Sequence, residues 1–350
     1  ILEFMKDLKY VFAYITPLGA VMGLWLQGFW VFFTPFFAFI LVPLLETILP
    51  IAKQNLSKEE LISKDKNKFF NVLLYLNIPI VYGLVGYFLW SLAFREYTLT
   101  ELVGLTISLG IVVGANGINV AHELGHRKLR FERTFGKILL LPALYMHFFI
   151  EHNFGHHLHA ATPQDPATAR YNQSVYSFWF SSIKGQYIKA WSIQKSLLER
   201  AKLPFLSSKN DMFWYTLIQF GYLVGVYLFL GELAAGLAFC IALSGVLLLE
   251  TINYIEHYGL KRNKTTSGRY ERISEIHSWN SNHVLGRILL YELTRHSDHH
   301  YRAHKKFQLL EYHDSSPQMP FGYTTSMVLA LAPPLWFLVM NTLIPVAMRP

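Results

Sequence analysis

The chain has 350 residues, of which 52% are hydrophobic and 16% aromatic but only 15% charged, against about 25% charged in soluble domains. This excludes a disordered chain and argues against a water-soluble enzyme. The single cysteine, Cys240, excludes a disulfide framework, a thiolate zinc ribbon and an iron–sulfur cluster held by this chain alone, and the net charge of +8 is scattered between apolar runs rather than gathered into a nucleic-acid-binding stripe.

No signal peptide with a cleavage site opens the chain, and a start at Ile1 without Met reads as a trimmed chain. A bilayer core needs about 20 apolar residues per helix. Six stretches meet that length: 10–28, 30–51, 69–93, 98–121, 211–230 and 233–257. Two further apolar stretches are ambiguous. The stretch 138–150 has the length of a re-entrant or interfacial segment, and 324–348 carries Pro333-Pro334, which would break a lipid-exposed helix. Basic residues fix the orientation. Of the 31 lysines and arginines, all but Arg95 and Arg349 fall in 1–9, 53–68, 127–137, 158–210 and 258–320, and cytoplasmic loops are the basic ones. The expected architecture is an all-α integral membrane protein forming one domain over 1–350. Six transmembrane helices are capped by cytoplasmic segments 122–210 and 257–320.

The histidines carry the chemistry. There are fifteen, and nine fall into His122-Glu-Leu-Gly-His126, His152-Asn-Phe-Gly-His156-His157, Glu256-His257 and His296-Ser-Asp-His299-His300. Residues three or four apart share a helix face, so each box can aim its rings at one point. The first box closes the fourth span and His257 closes the sixth. A re-entrant 138–150 keeps the second box on that same side of the bilayer. The remaining His147, His159, His277, His283, His304 and His313 read as ordinary interfacial residues. Titratable groups at membrane depth are costly and mark function, and neutral imidazole is the commonest nitrogen ligand for a metal.

Nine imidazoles exceed the four positions of a zinc ion, so two metals are the simplest accounting. With no thiolate in the set, iron that cycles with molecular oxygen is favoured. Glu123, Glu256, Asp298 and Asp165 are the carboxylates expected to accept the distal ring N–H groups and fix their tautomers. His122-Glu123-Leu124-Gly125-His126 also satisfies H-E-x-x-H, the signature of zinc proteases with Glu123 as general base, but that reading leaves seven clustered histidines unused. A transporter or scaffold would need none of them.

The boxes H-x3-H, H-x3-HH and H-x2-HH resemble the integral-membrane non-haem diiron family of fatty acid desaturases, hydroxylases and alkane monooxygenases. Asn253-Tyr-Ile-Glu-His-Tyr-Gly259 is similar to the further box of the bacterial alkane 1-monooxygenases and the xylene monooxygenases, as are His122-Glu-Leu-Gly-His-Arg127, Glu151-His152 and Leu293-Thr-Arg-His-Ser-Asp-His-His300. The resemblance runs from about Leu8 to the C-terminus. It implies that His122, His126, His152, His156, His157, His257, His296, His299 and His300 ligate two irons in a diiron catalytic layer. It further implies oxygen-dependent terminal hydroxylation of medium-chain n-alkanes to 1-alcohols at the bacterial inner membrane. It also implies electrons from rubredoxin and its reductase; rubredoxin is fused to the same chain in some members, but paired C-x2-C motifs are lacking here. Xylene-type methyl hydroxylation and fatty acid desaturation are the near alternatives. An alkane has no polar handle, so an apolar channel must select it, and Ile118 and Leu249, one and two turns before the ligands, are the expected lining.

Overall fold

The computed structural model describes residues 2–349. It is all-helical, and among the described residues the only β pairings are isolated bridges. Among the described residues, six helices are long and apolar enough to cross a membrane: Met5–Leu26, Gly28–Glu46, Phe69–Ser91, Leu99–Gly125, Asp211–Leu230 and Glu232–His257. Each overlaps one expected span, and the shifted ends have local causes. The first span starts early because Leu8–Tyr14 winds as a 3-10 helix straight out of Leu2–Asp7. The second stops at Glu46, where residues 47–49 fold back in turns ahead of Pro50. The fourth continues through the first histidine box to Gly125.

The fourth span is 78% buried and the fifth only 11%, so the fourth is the bundle's centre and the fifth presents its apolar side chains to lipid. Glycines allow the fourth and sixth spans to touch. A Cβ on Gly110 would lie 2.4 Å from Ser244 Cβ, and one on Gly245 would lie 2.9 Å from Val113 Cγ1. Small residues at such crossings allow backbones to approach within a membrane, where dispersion contacts replace the hydrophobic drive. The crossing holds the helices that carry His122 and His257 side by side.

The two ambiguous stretches resolve differently. The helix Arg130–Leu139 ends in turns that run through Leu144, at φ 52°, before Phe148–Glu151 restarts a helix. No span forms there, and the chain returns to the end it left. Residues 324–348 break into Tyr323–Ala330 and Pro333–Leu343. Pro333 and Pro334 occupy the first turn of the second helix, where the missing N–H needs no partner. Its Trp336 packs on Tyr254 and Tyr258 beside the sixth span. The long helix Val175–Arg200, capped by Ser174, closes the histidine end.

Candidate metal centre

The four boxes converge. His122, His126, His152, His157 and His299 offer nitrogens all within 4.8 Å of one another, and so do His156, His257, His296 and His300. The nine histidines therefore divide five and four, and the two sets are contiguous: the His157 and His300 ring centroids are 4.5 Å apart.

The boxes do not each aim at one point. His122 and His126 share a set, as their spacing requires, but His152 meets His157 while His156 faces the other way. The reason is local winding. Residues His152–His156 form a π-helical turn, whose i→i+5 hydrogen bonding brings positions five apart into line. The third box, an α-helix over His296–Tyr301, sends His296 and His300 to the four-membered set and His299 to the five-membered one. A second π turn, Val113–Ile118, precedes His122.

The nitrogen geometry fits metal. His157 Nε2 faces the Nε2 atoms of His152, His126 and His299 at 3.0, 3.1 and 3.2 Å. In the other set His156 faces His300 and His296 faces His257, each at 3.2 Å. One ring N–H satisfies one neighbour, so the other lone pairs converging on His157 call for a cation between them. Adjacent donors about 2.1 Å from one ion stand about 3 Å apart. His122 Nε2, also in the five-membered set, is buried without a hydrogen-bond partner. Burial first, then the neighbouring rings, holds His126, His152, His157, His296, His299 and His300 well below the usual imidazole range, so they are neutral donors at pH 7. The two histidine sets thus fit a metal centre.

The four carboxylates have different partners. Asp165 Oδ2 lies 2.9 Å from His156 Nδ1 and accepts Thr168 Oγ1 at 2.6 Å, while Oδ1 accepts the Ala167 amide at 3.2 Å. Burial disfavours charge on both members of the pair, yet their mutual attraction outweighs it, raising His156 and lowering Asp165. Glu256 Oε2 sits 3.2 Å from His296 Nε2, on the side facing the set rather than at the distal nitrogen, and its Oε1 accepts the Tyr323 hydroxyl at 2.9 Å. Glu123 pairs with Arg127 at 2.8 Å and accepts the Phe307 amide. Asp298 is held by Lys305 at 2.7 Å and His313 at 2.9 Å. Neither of these last two meets a clustered ring, because a cation closer along the chain takes the carboxylate.

None of the six other histidines joins either set. His147 and His277 are nevertheless buried rather than interfacial. His147 meets the Tyr145 and Tyr187 rings edge-on with both nitrogens unpartnered, and burial pushes it down to about 3.

A narrow apolar cavity of about 90 Å³ ends on His122, His152, His296 and Glu256. It runs back along the fourth span past Asn119, Ala115 and Gly114 to Ile111, and along the sixth past Asn253, Ile252 and Leu249 to Leu248. Leu249 lines it. Ile118 does not: it is fully buried within the π turn, packed into the helix core.

Several supporting groups had no role assigned from the sequence. Glu292 anchors the third box by accepting Tyr10 Oη at 2.6 Å and pairing with Arg287 at 2.6 Å and Arg295 at 3.8 Å. Glu151 lies 3.2 Å from Lys189 behind the second box, and burial, then Asp165, pushes it up to about 7. Glu250 accepts Tyr145 at 2.9 Å and Gln186 at 2.8 Å inside the sixth span. A carboxylate deep in the apolar sixth span was the available signal for Glu250; the Tyr10 contact of Glu292 and the Lys189 contact of Glu151 join residues far apart in sequence.

Comparison with known proteins follows the same lines. Residues 98–328 match the fatty acid desaturase family. The chain is 40% identical over 321 residues to alkane 1-monooxygenase 1 of Pseudomonas aeruginosa, covering 90% of this chain and 83% of that one. It is 39% identical to alkane 1-monooxygenase 2 of the same organism, covering 87% and 81%. The hydroxylase component of a xylene/toluene monooxygenase from Pseudomonas putida is 29% identical over 95% of this chain and 87% of its own.

Proposed function

The chain belongs to the alkane 1-monooxygenase family, and we propose that it hydroxylates the terminal carbon of medium-chain n-alkanes with two irons and electrons from rubredoxin. The reaction is RH + O2 + 2 electrons + 2 protons → ROH + H2O. The observation that carries this reading is the cavity, an apolar tube ending on histidines of both sets.

His122, His126, His152, His157 and His299 would hold one iron, and His156, His257, His296 and His300 the other. The bound irons supply oxygen activation and cleavage of the unactivated C–H bond. The chain's own residues do the rest. Asp165 fixes the His156 tautomer from behind, leaving Nε2 free to face the centre. Glu256, tethered by Tyr323, is the acid at the cavity's end and can hold a proton at Oε2. The apolar walls keep water away and present the alkane end-on. The catalytic layer comprises 122–210 and 257–320, and their basic character supports a cytoplasmic histidine face at the bacterial inner membrane.

The test is iron quantification on anaerobically purified protein, then oxygen-dependent assay of octane with reduced rubredoxin. About two irons per chain and 1-octanol are expected. One tightly held zinc with full activity, or an alkene from an acyl substrate, would overturn the reading. Faster turnover of xylene than of octane would favour the aromatic-methyl alternative.

A further inference from the structure

Eight of the nine clustered histidines are buried; His157 alone is partly exposed. It also makes the shortest ring contact between the two sets. Its Nε2 lies 3.0–3.2 Å from three nitrogens of its own set, and its ring centroid is 4.5 Å from that of His300 in the other. His157 is thus the least buried of the nine rings and sits at the contact between the sets.

The surface around it is unusual. Leu158 is 63% exposed, and Phe154, four residues before it, is 49% exposed. Tyr301, directly after His300, is 46% exposed. Cations rim these apolar groups. Arg302 sits over the Tyr301 ring at 5.2 Å, Arg262 Nη1 donates to the Leu158 carbonyl at 2.9 Å, and exposed Lys128 lies two residues beyond His126. Neither Lys128 nor Arg302 has an acidic partner among the described residues. An apolar centre with a polar rim is the anatomy of a protein interface. Electron-transfer complexes use small ones and are steered together by complementary charge.

We propose that this patch is where an acidic one-electron carrier protein docks, with His157 the last side chain between carrier and metal. The proposal rests on the oxygenase reading above. Each docking event oxidises the carrier by one electron; two events, with two protons and O2, balance the conversion of RH to ROH and water. A second hollow, of about 430 Å³ and bordered by Arg170 and Lys261, has Asp165 in its wall. It reaches only the four-membered set, through His156. That disfavours it as the port.

The experiment measures equilibrium binding of the metal-loaded chain in nanodiscs to a rubredoxin and to a [2Fe–2S] ferredoxin across a salt series. Lys128→Glu with Arg302→Glu should raise Kd at least about tenfold and flatten its salt dependence, as reversal of steering charges does. Leu158→Glu should weaken binding as well. Arg170→Glu with Lys261→Glu should leave Kd unchanged, and metal content in every variant reports whether the centre still assembles. Unchanged Kd in the first two variants, loss confined to the Arg170 and Lys261 pair, or no binding of either carrier to the wild type would each overturn the port. Ferredoxin binding at the same residues without rubredoxin binding would keep the port and remove rubredoxin as donor. Failure of octane turnover with a chemical reductant, with the docking results intact, would instead sink the hydroxylase reading.

Discussion

Asp165→Asn is the most direct probe of the centre's construction. The carboxylate and the His156 ring are both essentially fully buried and 2.9 Å apart. Removing the charge turns a charge-assisted hydrogen bond into a neutral one and allows the amide to offer an N–H where an acceptor is needed. A hydrogen bond to a charged group contributes about 1.5–3 kcal/mol, and about 1.4 kcal/mol is a factor of ten. Iron affinity should therefore fall about 10- to 100-fold, the range seen when a ligand's supporting partner is lost. The loss should fall on the ion held by the His156 set, leaving about one tightly bound iron per chain. Chelator competition followed by iron quantification reads both. Asp165→Glu should recover part of the affinity if the longer carboxylate reaches Nδ1. Unaltered competition curves for Asp165→Asn would show that this contact does not support the ligand and that the His156 orientation comes from packing alone.

Other outcomes are equally specific. His257→Ala should lower iron occupancy and activity, whereas His313→Ala, which removes only a partner of Asp298, should leave occupancy intact; equal iron in both would remove His257 from the ligand set. His147 should make the fold acid-sensitive. Its folded pKa of about 3 lies below the ordinary 6.5, so between those values the unfolded chain takes up a proton that the folded chain refuses. Its share of stability is intact above pH 6.5 and lost on acidification at about 1.4 kcal/mol per unit. Relative to His147→Phe, the wild type should lose about 1.4 kcal/mol more between pH 7.5 and 5.5, read from unfolding midpoints; parallel shifts would refute the assignment.

Much of this was legible because membrane chemistry is coarse. Span lengths follow from bilayer thickness, and nine imidazoles among apolar residues have few purposes. The division five and four was not legible, since it depends on the π turn at His152–His156, and no residue type announces i→i+5 winding. The same limit misplaced Ile118. Counting four back from His122 assumes an α-helix, but Val113–Ile118 is a π turn, and the cavity face passes through Asn119 and Ala115 instead. The carboxylates divide on competition: Asp165, with no cation bonded to it, supports a histidine, while Glu123 and Asp298 go to Arg127 and Lys305. Proximity in sequence to a box gave no means of ranking them.

In the proposed reading, selection of the substrate end follows from the tube. Its wall on the fourth span extends from His122 to Ile111, about 16 Å at 1.5 Å per residue, so an extended chain can enter with only its terminal methyl at the metal end. A secondary C–H bond is weaker, but the walls deny it the approach. Leu249 is seven residues from Glu256, about 10 Å up this tube. Leu249→Trp should therefore exclude the distal carbons of long alkanes, and each CH2 no longer buried lowers kcat/KM by the equivalent of about 0.8 kcal/mol, roughly fourfold. The length optimum should move to shorter alkanes with iron content constant. Leu249→Ala widens the wall and should admit some secondary alcohol. Ile118 gives the contrast. It packs in the helix core, so Ile118→Ala should lower stability by about 2–5 kcal/mol without altering the length profile or the alcohol formed. If Ile118→Ala changes regiochemistry while Leu249→Trp leaves the length optimum in place, the alkane does not occupy this cavity, and the tube must lie on the opposite face of the fourth span.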